Sequence, residues 1–399
     1  MDYIYILLFV NISFLVIAIV KEKYLFSLNT IFNAYALLYF FYGLFVFNFR
    51  PSEMNIKTEL ITLAIIAVIS FNLTYYIFKK KIIKPLFKFE ETTLSNSVGI
   101  ILMVIGLSAE LILILKVGPI NFLTMDRYER FPILKQNDYL VYLINLINIS
   151  LAIFLNNYLK YKDDFSKKLL YFCTLHNILY FILMISRSHL LLNFIIFGYL
   201  LERYNKLKKK SIIIYGSVLV FVMFFYKSFL YSVLLGKSEI YFNYGEVVNW
   251  IRNSILLFNL GIDSNDLPNN SYLLALKSLF VLSPKEDALS EWFVYTFFPS
   301  QATEGFTMGF SGLIEGYLYM NTLGVVLHFA LIGFICAMFE KRETDLFTII
   351  KIFLLYTLYK VFRSEIYNFV KSSYWYYIVP ILGVYFFDYL AKSVIRRKK

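Results

Sequence analysis

Charge is what this sequence has least of. Asp, Glu, Lys and Arg make up 17% of its 399 residues, against ~25% in soluble domains. Hydrophobic residues fill 59% and aromatic residues 20% of the chain, and the mean hydropathy is +0.64. That is the composition of a polytopic membrane protein. The net charge of +12 belongs to no soluble basic domain, which argues against a nucleic-acid partner. The two cysteines, Cys173 and Cys336, both fall inside apolar runs, which argues for buried thiols rather than a disulfide. Two cysteines and three histidines do not make a convincing zinc site. A Gly-rich nucleotide loop, a Walker motif and an internal repeat are all missing, so the sequence points to no metal, no cofactor and no ATP.

What the chain has instead is a succession of apolar runs, at 3–20, 28–48, 59–78, 97–115, 139–158, 169–186, 189–201, 211–230, 309–338, 346–363 and 373–391. By bilayer length they make about 11 transmembrane helices, with 189–201 short enough for a tilted or partial span. The first run lacks the basic leader and small-residue cleavage site of a signal peptide, and reads as a retained span. With the N-terminus outside, the inner loops hold Lys21 and Lys23, then Lys79, Lys80, Lys81, Lys84 and Lys88. Lys160, Lys162, Lys167 and Lys168 follow, then Arg203, Lys206, Lys208, Lys209 and Lys210, and finally the tail Arg396 to Lys399. Every strongly basic short loop then lies on one side, as the positive-inside rule requires. The expected fold is an all-α polytopic membrane protein, N-out/C-in, with one large helical external loop.

Three regions are expected on this basis: an N-terminal transmembrane bundle at 1–230, the external loop at 231–308, and C-terminal transmembrane helices with a basic tail at 309–399. Segment 116–138 is also expected outside. Within the long loop, 244–260 places Val247, Val248, Ile251, Ile255 and Phe258 on one helical face and Glu246, Asn249, Arg252 and Asn253 on the other. Such an amphipathic helix suits the membrane surface. Two further apolar pieces, 271–282 and 288–298, are interrupted by Pro284 and Pro299. The expectation is a loop of short helices capping a cavity, closed by PSQATEG at 299–305.

The chemistry concentrates after that loop. Glu315 enters an apolar run between Gly312 and Gly316, with Ser311 one turn before it and Tyr319 and Thr322 at helical spacing after it. An ionisable group in a span normally faces protein or water and marks function. The alternative is that Gly312 and Gly316 form a helix-packing seam, and Glu315 hydrogen-bonds a neighbour. Arginine supplies the second signal: the inner face is mostly lysine, whereas Arg50, Arg127, Arg130, Arg187, Arg252 and Arg363 lie on the outer side. Its planar fork grips phosphate bidentately, which lysine does not. Snorkelling anchors are the alternative for Arg50 and Arg363, and pairing with Asp126 or Glu129 for Arg127 and Arg130. At 1.5 Å rise per residue, Glu315 lies about 9 Å and His328 roughly 28 Å from the start of the run. That depth separates His328 from the outer arginines, while His176, at mid-span or deeper, is expected to satisfy a neighbouring helix. Tyr241, Tyr244, Trp250, Tyr272 and Trp292 are candidates for stacking on sugars or for the interfacial belt.

Many spans, one long external loop and a Gly-Phe-Ser-x-x-x-Glu-x-Tyr entry to a span, here Gly309 to Tyr317, resemble the Wzy-type bacterial polysaccharide polymerases, mainly over 305–334. The resemblance implies a membrane glycosyltransferase acting on undecaprenyl-diphosphate-linked oligosaccharides at the periplasmic face of the bacterial inner membrane. It would transfer the growing glycan of an O-antigen, capsule or exopolysaccharide to a hydroxyl of a fresh lipid-linked repeat unit. The lipid diphosphate is the leaving group, so neither metal nor nucleotide is needed. The catalytic candidates are Glu315, Arg187 and Arg252, and the substrate-binding candidates are Arg127, Arg130, Arg363, Ser311 and Tyr319. Implied partners are membrane lipid, a chain-length regulator and other polysaccharide-assembly proteins. An O-antigen-type ligase shares the reaction class; a lipid-linked oligosaccharide flippase is the rival from another class, though it should show internal pseudo-symmetry.

Overall fold

The structure, a computed structural model, describes residues 3–81, 94–118, 133–134, 136–184, 187–235, 245–262, 264–268, 270–281, 288–300 and 309–397. Among the described residues every regular element is a helix. In chain order these include α1 (Tyr3–Lys21), α2 (Leu28–Ala36), α3 (Met54–Lys81), α4 (Asn96–Val117), α5 (Asp138–Ile144), α6 (Leu146–Tyr161), α7 (Asp164–Met184), α8 (Arg187–Arg203) and α9 (Lys209–Leu235). They continue with α10 (Gly245–Leu260), α11 (Ser271–Lys277), α12 (Leu289–Phe297), α13 (Gly312–Glu340), α14 (Asp345–Thr357), α15 (Ile366–Ser373) and α16 (Val379–Arg397). Six helical stretches among the described residues are long and apolar enough to cross a membrane: Tyr3–Lys21, Leu28–Val46, Pro51–Lys80, Asn96–Val117, Asp138–Tyr161 and Gly312–Glu340. Two of the other expected spans are shorter, α8 having 17 residues and α14 13, below the ~20 that a bilayer core takes, whereas α7 has 21 and α9 27.

The chain divides into two compact units. One comprises 1–86, 239–343 and 354–371, the other 87–238, 344–353 and 372–399. In the first unit α13 runs along α3, and Gly333 lies so close to the Phe71 carbonyl that a Cβ there would stand 2.5 Å from the oxygen. Aromatic side chains fill the space beside this contact: Phe71 stacks on Phe32, and Phe32 and Phe40 each meet Phe329 and Phe362. Each fully buried ring of this kind stabilises the fold by about 1.5–3 kcal/mol. Buried Glu22 pairs with Lys79 and accepts from Tyr75, while Glu340 accepts from the Leu28 N–H at 2.8 Å. These carboxylates fix the ends of α1, α2 and α13 with partners that a buried charge requires.

The amphipathic stretch is helical, as α10, but its apolar face meets protein rather than lipid. Val247, Val248, Ile251 and Ile255 are buried, Trp250 packs edge-on against Phe40, and its Nε1 donates to the Tyr39 carbonyl. Gly43 admits the Val247 backbone, which explains the tight seating. Trp250 is therefore core, and is not available to stack on a sugar.

In the second unit α6 is buried on nearly every side, as befits an apolar helix surrounded by others. α4, α7 and α8 pack against it. Both cysteines are free and buried, Cys173 on α7 here and Cys336 on α13 in the first unit.

Candidate active site

The element that builds the site is α13, and it is not one straight rod. Met320 (φ −145°, ψ 29°) and Asn321 (φ 51°, ψ −139°) leave the helical region, Asn being among the residues that tolerate positive φ best. The chain turns back on itself there. Gly316 faces Gly324, a Cβ on Gly316 standing 2.8 Å from the Gly324 carbonyl oxygen, and one on Gly324 would overlap the Gly316 carbonyl. Only glycines permit that approach. One turn further from the bend on each arm, Gly312 lies against Nε2 of His328. A straight helix would separate residues 312 and 328 by roughly 24 Å, so the two arms form a hairpin.

This corrects the depth expected from helical rise. Glu315 lies in the first turn of α13, and the hairpin brings His328 to its level rather than to the opposite leaflet. The Glu315 carboxylate and the His328 imidazole are both buried, with Oε2 3.8 Å from Nδ1. The bend also takes Thr322 off the Glu315 face, leaving it exposed.

Three helix N-termini meet at two carboxylates. Ser311 caps α13, its buried hydroxyl accepting from the Ile314 N–H. Glu315 Oε2 accepts from the Ile366 N–H, the first of α15, at 2.7 Å. Glu365, also fully buried, accepts from the Ser290 N–H in the first turn of α12 and from Asn368 Nδ2 at 2.6 Å. Helix N-termini stabilise negative charge, which offsets part of the cost of burying these two carboxyl groups in an apolar bundle. Glu315 Oε1 has no hydrogen-bond partner, and neither does His328 Nε2. Buried groups left open in this way call for an explanation.

The segment before α12 reaches into the same cluster through α11. Asn270 caps this short helix, accepting from Tyr272 and Leu273 N–H groups. The Tyr272 hydroxyl lies 3.0 Å from His328 Nδ1, and the Ser271 N–H donates to the Tyr319 hydroxyl at 2.8 Å. Burial, and after it the Glu315 carboxylate, raise the Tyr272 phenol well above its ordinary range, so it remains a neutral hydroxyl. Beside this cluster a cleft of about 400 Å³ opens between the end of α10 and the first arm of the hairpin, with Phe258, Ser264, Tyr317, Tyr319 and Asn321 among its lining residues. Aromatic faces with a few hydroxyl and amide groups are what a small polar ligand needs.

The remaining candidates are distributed as follows. Gly309 abuts the Arg363 backbone, and its carbonyl accepts from Asn253 of α10 at 2.8 Å. Arg363 and Arg252 therefore lie on elements that meet three residues before α13; Arg363 also stacks over Tyr359, while Arg252 is exposed. Arg187 opens α8 in the second unit, and its side chain is not described. Arg127, Arg130, Glu304 and most of 299–305, like Tyr241 and Tyr244, lie outside the described residues. Sequence reasoning placed Glu315 and Tyr319 in the site but passed over His328, Tyr272 as a hydrogen-bonding group, and Glu365. In the second unit His176 Nε2 pairs with Glu110 at 2.6 Å, the neighbouring-helix partner expected of it.

Residues 229–393 match the family model for O-antigen polysaccharide polymerase Wzy. Over that stretch the chain is similar to the Wzy-type polymerase family. The matched residues include Arg252, Tyr272, Glu315, His328, Arg363 and Glu365, so the cluster described above is part of the Wzy-type region. No curated protein and no solved structure matches the chain.

Proposed function

We propose that the protein polymerises undecaprenyl-diphosphate-linked oligosaccharide repeat units at the outer face of a bacterial inner membrane. The observation that carries this reading is Glu315: a buried carboxylate with one open oxygen, on the hairpin arm whose Tyr317 and Tyr319 line an aromatic cleft, within the matched stretch. In the reaction, a hydroxyl oxygen of the incoming unit attacks the anomeric carbon of the growing glycan. The bond from that carbon to the lipid diphosphate breaks, and Glu315 takes the hydroxyl proton. Proton transfer by a positioned group contributes about 10²–10⁴-fold. The departing diphosphate is held by arginines, for which Arg252 and Arg363 are the nearest candidates, with Arg187, Arg127 and Arg130 as further ones. Because the diphosphate is the leaving group, the chemistry requires neither nucleotide nor metal. The cleft takes the acceptor sugar against Tyr317 and Tyr319. A chain-length regulator is the expected protein partner.

The test uses purified protein in liposomes with lipid-linked repeat units. Glu315→Gln keeps the shape and binds substrate but loses polymer formation by about 10²–10⁴-fold. Near-normal polymer from this variant excludes Glu315 as the base. Transfer to a lipid A core in place of chain extension would favour a ligase. The eleven-span, N-out/C-in arrangement, with the 231–308 loop outside, belongs to the same reading. A cysteine placed at Ser264 then reacts with an impermeant thiol reagent in intact cells and one at Ser393 does not; reversed labelling overturns the orientation.

A further inference from the structure

The cleft that Tyr317 and Tyr319 line carries no charge among its described lining residues. A diphosphate would call for cations there, so the lining suits a neutral ring, with apolar faces to stack on and a few polar groups to orient it. Phe258 and Tyr317 supply such faces, their ring centroids 5.4 Å apart. Of the polar groups, the Tyr319 hydroxyl already accepts from the Ser271 N–H. Asn321 lines the same cleft and is exposed, and its carboxamide makes no hydrogen bond among the described residues. The backbone under that side chain is unusual. At φ 51° and ψ −139° it lies outside the left-handed helical region, centred near ψ of about +47°, where asparagine is ordinarily tolerated. It is close instead to a turn conformation that glycine adopts without strain. A side chain held there costs stability, and the bend by itself gives no reason to keep one.

We infer that the Asn321 carboxamide is a specificity-determining contact of the cleft, bridging two neighbouring hydroxyl groups of a neutral acceptor sugar. The inference rests on the reading of the cleft as the acceptor site. A carboxamide presents an accepting oxygen and a donating nitrogen side by side. Neighbouring hydroxyls on a sugar ring match that pair, since each hydroxyl both donates and accepts. Asparagine therefore meets such a diol at two points and adds no charge to the cleft. Asn321 follows Tyr319 by two residues, so one element sets both the aromatic wall and the amide. A backbone conformation that few residues adopt also restricts where the amide can point, and such conformations gather at ligand sites. Asn321 binds and orients the acceptor; it takes no part in moving the proton.

The experiment compares wild type, Asn321→Gly and Ser264→Trp in the liposome assay with lipid-linked repeat units, alongside thermal unfolding in detergent. Glycine takes the backbone conformation freely, so Asn321→Gly keeps its unfolding temperature. It loses the carboxamide, and KM for the repeat unit rises about tenfold with kcat little changed. A residue kept only for the turn gives the opposite order, with glycine at least as good as asparagine. Soluble oligosaccharide released from the repeat unit competes about tenfold more strongly with wild type than with Asn321→Gly. Periodate, which cleaves neighbouring diols, removes that difference when the oligosaccharide is treated first. Ser264→Trp fills the cleft from the side of α10 and raises KM by more than about tenfold. Wild-type KM in Asn321→Gly, a loss of polymer that follows a loss of folding, or undiminished competition after periodate overturns the contact. If Ser264→Trp is impaired while Asn321→Gly is normal, the cleft stands as the acceptor site and only the role of Asn321 falls. Wild-type KM in both variants overturns the reading of the cleft as well.

Discussion

Among the described residues each unit contains a Glu–His pair, partly buried in the second unit and wholly buried in the first, and they are not alike. In the second unit Glu110 of α4 meets His176 of α7 directly at 2.6 Å, with side chains 13% and 17% exposed. Two adjacent helical faces are joined by one short contact, and the carboxylate is matched by a donor. In the first unit Glu315 and His328 are wholly buried and stand 3.8 Å apart. Glu315 Oε2 accepts from a backbone N–H, and His328 Nδ1 lies 3.0 Å from the hydroxyl of Tyr272 on α11. Open polar atoms remain on both of these side chains, whereas the second unit leaves only His176 Nδ1 open in its pair. The same residue types therefore give a closed contact in one place and an unfinished one in the other. Intramembrane ionisable groups are often taken as functional by default; the difference lies in whether their hydrogen-bonding capacity is already used.

The sharpest way to break this comparison is to neutralise each carboxylate in turn. Glu315→Gln is expected to lose about 10²–10⁴-fold in turnover while the protein stays folded. Glu110→Gln is expected to keep turnover within about twofold and to lose stability instead, by about 1–3 kcal/mol, as a partly buried side chain losing its hydrogen-bond partner does. Thermal unfolding in detergent alongside polymer formation reads both. Inactive but fully stable Glu110→Gln would mean that the closed pair is functional too, and the distinction drawn from satisfaction would fail.

A second comparison concerns two glycines. A Cβ at Gly324 meets the Gly316 carbonyl, a backbone atom held within the same hairpin, whereas a Cβ at Gly216 of α9 meets nothing nearer than Cζ of Phe194 at 3.5 Å, an ordinary contact. Overpacking costs about 1–3 kcal/mol where the surroundings cannot relax. Gly324→Ala is expected to open the hairpin and lower turnover by at least roughly tenfold, whereas Gly216→Ala stays within about threefold, since there is no overlap to relieve. Equal losses from the two variants would remove the special role given to the bend.

Glu315 was legible in the sequence because a carboxylate between two glycines, in an apolar run, breaks the local pattern. The short α11 and α12 were legible from the apolar pieces and prolines of the long loop. His328 as its partner was not, because residues Gly309 to Phe334 were read at constant rise, and no proline marks the bend. The signal that was present is weaker: Asn321-Thr322, two polar residues inside an apolar run, with Gly312 and Gly316 before them and Gly324 and His328 after them at mirrored spacing. The burial of the 244–260 helix against protein was also hidden, since an amphipathic face does not say whether lipid or protein covers it. Glu365 was noted near a helix end, but its hydrogen bond from Ser290 depends on packing between segments 75 residues apart, which no local pattern encodes.

The smallest effect is expected from the arginines, and it separates the site from its surroundings. Arg252 is exposed on α10, next to Asn253, whose side chain holds the Gly309 carbonyl. Arg50 precedes the short helix Pro51–Glu53, where its backbone N–H donates to Glu53 at 2.9 Å. Both are outer-side arginines in the expected topology, but only Arg252 lies on an element tied to the start of α13. Replacing each by Lys keeps the positive charge and removes the planar fork that grips a phosphate at two points. If Arg252 holds the lipid diphosphate, Arg252→Lys raises KM for the lipid-linked unit by about tenfold, the worth of one charge-assisted hydrogen bond, with a smaller change in kcat. Arg50→Lys leaves both constants unchanged, because a snorkelling anchor needs only its charge. A KM unaffected in Arg252→Lys would reduce that residue to an anchor as well, and the diphosphate clamp would then have to be sought at Arg363 and Arg187.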